Sequence, residues 1–234
     1  MSSSLDQLSY GSRYMSRNLG SVYVIFVISF VILVFTFIFW VFSKCCGCSE
    51  HAFKKLETKF LWNYYIRLVL EASLELSFCC IINIKYGNVF RYPETPTAGS
   101  VVNFVVAVFF TVVVLVSPLV ILIAYNYHFL KLAEPEFEHR YGAAYEGLKH
   151  LERSVLIYPA LFVARRILFG VLAVYCYHFV WLQLAVQIYC TIFSAWYLLE
   201  FRPFDDPLVQ KLEVFNEVIA LSMINLLFCF TDLI

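Results

Sequence analysis

Charge is scarce in this chain. Asp, Glu, Lys and Arg make up 15% of its 234 residues, where a soluble domain carries about 25%. The 17 basic and 17 acidic residues cancel, so no electrostatic footprint for a nucleic-acid partner is present. Internal repeats and low-complexity tracts are absent. So are the motifs of common catalytic sites: there is no H-E-x-x-H, G-x-S-x-G, Walker A loop or G-x-G-x-x-G. No Asp falls within an apolar segment, with Asp232 at the extreme end the one borderline case, which leaves an intramembrane aspartyl protease without a basis. Enzymatic activity, a cofactor and a metal are not expected.

Apolar residues fill the space that charge leaves. They make up 62% of the chain, with 24 Phe and 16 Tyr and a mean hydropathy of +0.77. This composition excludes a soluble enzyme, a disordered linker and a secreted disulfide scaffold, and makes the lipid bilayer the first partner. A hydrocarbon core of about 30 Å needs roughly 20 apolar residues per helix. Six segments meet or approach this: 22–42, 61–84, 101–125, 156–181, 182–199 and 212–230. The first is too long for a signal-peptide core and ends in Lys44 and a cysteine cluster. The fourth and fifth form one apolar run, divided near Trp181, Leu182 and Gln183. Continuous runs without strict alternation exclude a transmembrane barrel. The expected fold is all-α: a polar tail (1–21), then a polytopic helical membrane domain (22–234) of about six spans in one bundle.

Orientation follows the distribution of Lys and Arg. With the N-terminus outside, ten basic residues fall on inside loops. Four fall outside: Arg13, Arg17, Lys85 and Arg91. An extracellular N-terminus and a plasma-membrane location are expected. The connector 126–153 is then cytoplasmic. Within it, Pro135 and three Glu suit a helix start, and Tyr141, Tyr145 and Leu148 recur at i, i+4 and i+7 as one apolar face. Gly142 and Gly147 predict a bend in this amphipathic element.

Charges inside the bilayer are costly and by default face the bundle interior. Arg67, Glu71 and Glu75 recur at i, i+4 and i+8 on the second span, with Asn83 two turns beyond. Arg165 and Arg166 lie two to three turns into the fourth. An ion pair from Arg165 or Arg166 to Glu71 or Glu75 would neutralise both helices. Three readings stay open: packing clamps between helices, a cation-lining stripe, or an interfacial helix. Glu213 and Glu217 open the last span, with Asn216 beside them and Asn225 deeper. They are either a solvated helix start or a cation vestibule, and Glu71, Glu75 and Glu217 are the candidates for a cation path. Gln183 and Gln187 are expected to hydrogen-bond between helices, and His178 to sit on the outer face or in packing.

Cys45, Cys46 and Cys48 follow the first span beside Lys44. Juxtamembrane cysteines near basic residues are acceptors for S-palmitoylation. Plain reduced thiols are the bland reading. A zinc site with His51 is disfavoured, because adjacent Cys45 and Cys46 do not match tetrahedral spacing. Cys79, Cys80, Cys176, Cys190 and Cys229 fall within spans, where packing is their expected role.

Three stretches resemble, in order, the C-terminal membrane region of ciliate multipass proteins classed as similar to transient receptor potential (TRP) channels. They are IRLVLEASLELSFCCIINI (66–84), FEHRYGAAYEGL (137–148) followed by Tyr158–Pro159 and Arg165–Arg166, and RPFDDPLVQKLEVFNE (202–217). The resemblance implies a TRP-like helical domain and cation conduction; a homo- or hetero-oligomer with other membrane subunits is expected besides. The chain departs from that pattern in lacking a large Cys-rich region before the first span. Its abrupt end is read as that of a fragment or a reduced paralogue. Only residues 202–211 separate the last two spans, with no room for a re-entrant pore helix. The functional expectation is a TRP-like cation-channel subunit or channel-derived module. The alternative is a non-conducting scaffold or receptor-type module whose charges only lock helices. A transporter ranks third, since no inverted repeat is visible.

Overall fold

The computed structural model describes residues 15–46, 63–87, 98–132, 134–149 and 152–230. Helices dominate the described residues, which contain no strand beyond one isolated bridge. In chain order the helices are α1 (Met15–Asn18), α2 (Gly20–Cys46), α3 (Tyr64–Tyr86), α4 (Ala98–Tyr127), α5 (Pro135–Tyr141), α6 (Tyr158–Tyr175), α7 (Val180–Phe201) and α8 (Pro207–Phe230). Short 3-10 turns at Phe129–Lys131, Gly142–Ala144 and Val155–Ile157 join them. An apolar chain in lipid has no water to bond its amides, so each long apolar run closes its own hydrogen bonds as a helix.

Four of these elements are long and apolar enough to cross a membrane: Ala98–Tyr127, Val155–Tyr175, Val180–Phe201 and Pro207–Phe230. They coincide with the third to sixth expected spans, and α4 runs on through Pro118. The first two expected segments are also helical, as α2 and α3, with a shorter apolar stretch at Val27–Ile38. The break inside the long apolar run falls at residues 176–179, ahead of the expected Trp181–Gln183. There α6 ends with the Cys176 N–H on Leu172 O, and the Gln183 amide closes the turn by donating to Cys176 O at 2.7 Å. Gln183 of α7 therefore bonds to the C-cap of α6, the hydrogen bond from helix to helix expected of it.

The chain divides into two compact units. The first holds residues up to Val114 together with Ala133–Ala144. In it, α3 buries Leu76, Cys79, Cys80 and Ile82. Tyr64 and Tyr65 bind α2 at Ser29: the Tyr65 hydroxyl donates to Ser29 O at 2.5 Å, and the two hydroxyls of Ser29 and Tyr64 lie 3.1 Å apart. At the head of α3 the Asn63 side-chain oxygen Oδ1 accepts the Ala143 N–H at 3.0 Å.

The second unit holds Leu115–Leu132 and Tyr145–Ile234. Tyr145 and Leu148, from the expected apolar face of the connector, are fully buried here, while Tyr141 is only half-buried. Tyr145 packs edge-on to Tyr125, with ring centroids 5.8 Å apart. The expected bend appears at Gly147, whose φ of +76° suits glycine. That bend lets Leu148 bridge to Phe204, flanked by Lys149 N–H to Pro203 O (2.9 Å) and Asp205 N–H to Gly147 O (3.0 Å). The turn between α7 and α8 is thus tied to the segment that leads into α6.

Candidate functional site, an ion pair among the last three helices

The site sits where α6, α7 and α8 converge. Arg165, two turns into α6, donates from Nη1 to both carboxylate oxygens of Glu217 at 2.6 Å. The Glu217 side chain is 7% exposed and that of Arg165 27%. Glu217 lies ten residues into α8 and Arg165 seven into α6, which at 1.5 Å per residue sets both about 10–15 Å from their helix starts. An unpaired charge deep in a bilayer costs roughly 2.5–3.5 kcal/mol on insertion scales. The pair removes that cost for two helices at once.

An aromatic group closes the end of the pair nearer the turn. The Tyr158 hydroxyl donates to Glu213 Oε2 at 3.5 Å. The Tyr158 ring stacks on Tyr197, with centroids 6.3 Å apart and planes 16° apart, and meets Phe204 edge-on at 5.1 Å. Tyr197 in turn donates to Ser154 O at 2.5 Å, which fixes the 3-10 turn before α6. Arg166, the other half of the arginine pair, lies over the ring of Phe162 at 3.9 Å, a cation–π contact along its own helix. Thr191 and Ser194 of α7 are buried.

The hairpin that carries Glu217 has its own devices. Asp206 accepts the Leu208 N–H at 2.8 Å and Pro207 takes the first helical position. Gln210 reaches back from α8, donating to Leu198 O at 2.6 Å and accepting the Phe204 N–H at 3.3 Å. Arg202 closes α7 in the left-handed region, with φ 42° and ψ 64°.

The sequence-derived candidates are therefore divided. Arg165 and Glu217, both in the second unit, come together, whereas Glu71 and Glu75 belong to the first. Arg67, Glu71 and Glu75 lie on the exposed side of α3, about a quarter-turn from the buried side that carries Leu68, Ala72, Leu76 and Cys79. Asn83 is buried and does not continue their stripe. Each i+4 step turns the stripe by about 40°, and from Glu75 onward that drift carries position 83 onto the buried side. Glu213 is half-buried and bonded to Tyr158, while Asn216 and Asn225 are exposed. Gln187 Nε2 is buried with no hydrogen-bond partner among the described residues. His178 is exposed and lies against Tyr177. Cys79 and Cys80 are buried, Cys176 and Cys190 half-buried and Cys229 exposed. The side chains of Cys45 and Cys46, and all of Cys48 and His51, lie outside the described residues. Sequence reasoning missed Tyr158 and Tyr197, because Tyr occurs throughout the chain and neither stands in a charged pattern.

No family model, curated protein or solved structure matches the chain.

Proposed function

We propose that this chain is a multipass membrane protein of about six spans whose C-terminal unit is a non-conducting structural module, of scaffold or receptor type. The observation that carries this reading is the Arg165–Glu217 pair. The carboxylate deepest in α8 has both oxygens on a guanidinium of the same unit and is almost fully buried, so its charge is neutralised where it stands and is not offered to a passing cation. The five residues between α7 and α8, 202–206, are spent on capping and bridging, which leaves nothing to build a re-entrant pore helix. The spans beyond the four apolar helices are α2 and α3, and the excess of Lys and Arg on one side supports an extracellular N-terminus.

A second reading, the TRP-like cation-conducting subunit, is favoured by one observation. Glu71 and Glu75 are exposed along one side of α3, where an assembly of subunits would gather carboxylates along a path. Cation flux into vesicles holding the reconstituted full chain separates the two. The structural reading expects no flux above empty vesicles, and the same result for Glu71→Gln and Glu75→Gln. Flux that those two substitutions lower, with folding intact, supports conduction instead.

A further inference from the structure

Of the four long apolar helices among the described residues, α8 has the least of its surface covered. One of its exposed faces differs in kind from the others. Phe215, Val218, Ser222, Asn225 and Cys229 follow one another at intervals of 3, 4, 3 and 4 residues, and all five are exposed. That spacing is the a/d seam of a left-handed helix pair sustained over two heptads. Most of the surrounding exposed positions, among them Leu212, Ile219, Met223 and Leu226, are large and apolar, as lipid contact requires, with Asn216 the polar exception nearer the α7–α8 turn. The seam instead narrows to Ser, Asn and Cys, which let two helix backbones approach closely.

Asn225 decides what the seam meets. It stands five residues before Phe230, about 7–8 Å inside that end of the helix. Its Nδ2 donates to Leu221 O at 2.8 Å, and Ser222 Oγ donates to Val218 O at 2.9 Å. The serine has thereby placed its one proton. The asparagine retains a second N–H and its carbonyl oxygen, with no protein group on either among the described residues. A covering helix must therefore offer both a donor and an acceptor at that depth. A parallel copy of α8 does so by symmetry, because its own Asn225 lies at the same depth and an amide is its own complement across a two-fold axis.

We propose that α8 pairs in parallel with α8 of a second copy of this chain, along Phe215, Val218, Ser222, Asn225 and Cys229, with the two Asn225 amides bonded to each other in the bilayer. The inference rests on the proposed function only in taking α8 as a span, and does not depend on whether the protein conducts. The geometry brings the two Cys229 thiols together one turn beyond Asn225, which supplies a readout.

The test is oxidation of the full chain, reconstituted in phosphatidylcholine vesicles, with copper–phenanthroline, followed over a range of lipid-to-protein ratios. Oxidation of two thiols to one disulfide should give a covalent dimer that Cys229→Ser abolishes. Asn225→Leu should lower dimer yield about three- to thirtyfold at matched dilution, in line with the range for interhelical hydrogen bonds in membranes. Asn225→Gln should retain it, and Met223→Ala, off the seam, should leave it unchanged. Energy transfer between labelled copies of each variant checks association without the disulfide. Absence of a Cys229-dependent dimer, a Cys229 disulfide formed within one chain, or an Asn225→Leu variant that associates like the parent would overturn the proposal. Because the readout is association and not flux, its failure is distinct from failure of the functional reading.

Discussion

Arg165 and Glu217, 52 residues apart in sequence, meet through a single guanidinium nitrogen that lies 2.6 Å from each carboxylate oxygen. The contact joins the first and last helices of the C-terminal three. Tyr158 and Glu213 repeat the same helix pairing nearer the α7–α8 turn, about two turns back along α6 and one along α8. Two bonds at two levels fix both the separation and the rotation of α6 against α8, which one contact could not do.

The contrast between the two acidic sets gives the first prediction. Glu217→Gln removes a buried charge partner and should destabilise the folded protein by roughly 1.5–3 kcal/mol. Glu71→Gln and Glu75→Gln change exposed groups and should each stay within about 0.5 kcal/mol of the parent. Unfolding of the purified protein in bicelles by denaturing detergent measures all three.

Tyr197 provides the second. Its hydroxyl holds the Ser154 carbonyl, with Val155 O at 3.4 Å, and its ring supports Tyr158. Tyr197→Phe keeps the ring and removes the donor. We expect a loss of about 1 kcal/mol and faster amide exchange confined to the 3-10 turn Val155–Ile157. Exchange that rises equally through α7 would contradict the local role.

The third concerns the α7–α8 turn. Arg202 adopts a left-handed backbone that costs a non-glycine residue about 1–2 kcal/mol, and its side chain is exposed. Arg202→Gly should therefore stabilise the protein, by about 1 kcal/mol after the added freedom of the unfolded chain is subtracted. Asp206→Ala should act in the opposite sense, by about 0.5–2 kcal/mol, because the Leu208 N–H loses its cap. The same detergent unfolding, run on both variants, checks the opposite signs.

Much of the architecture is legible in the sequence because lipid leaves few choices. Each apolar run became a helix, and the Pro/Asp-rich stretch at 202–207 became a turn. The break at 176–179 was less legible: Cys176, Tyr177, His178 and Phe179 include no glycine or proline, so the polar Gln183 nearby drew the boundary towards itself. The ion pair was half legible. Intramembrane cost marks Arg165 and Glu217 as residues that need partners, but periodicity describes one helix at a time and cannot say which helices meet. The same cost rule pointed Glu71 and Glu75 inward, yet the apolar side of α3 defined by Leu68, Ala72, Leu76 and Cys79 turns them outward.

The most direct test of the account is a double-mutant cycle on Arg165 and Glu217, comparing Arg165→Met, Glu217→Gln and the double variant by unfolding in bicelles. The account predicts a favourable coupling of at least about 1 kcal/mol, with the double variant less damaged than the sum of the singles. Additive losses, with no coupling between the two positions, would contradict it.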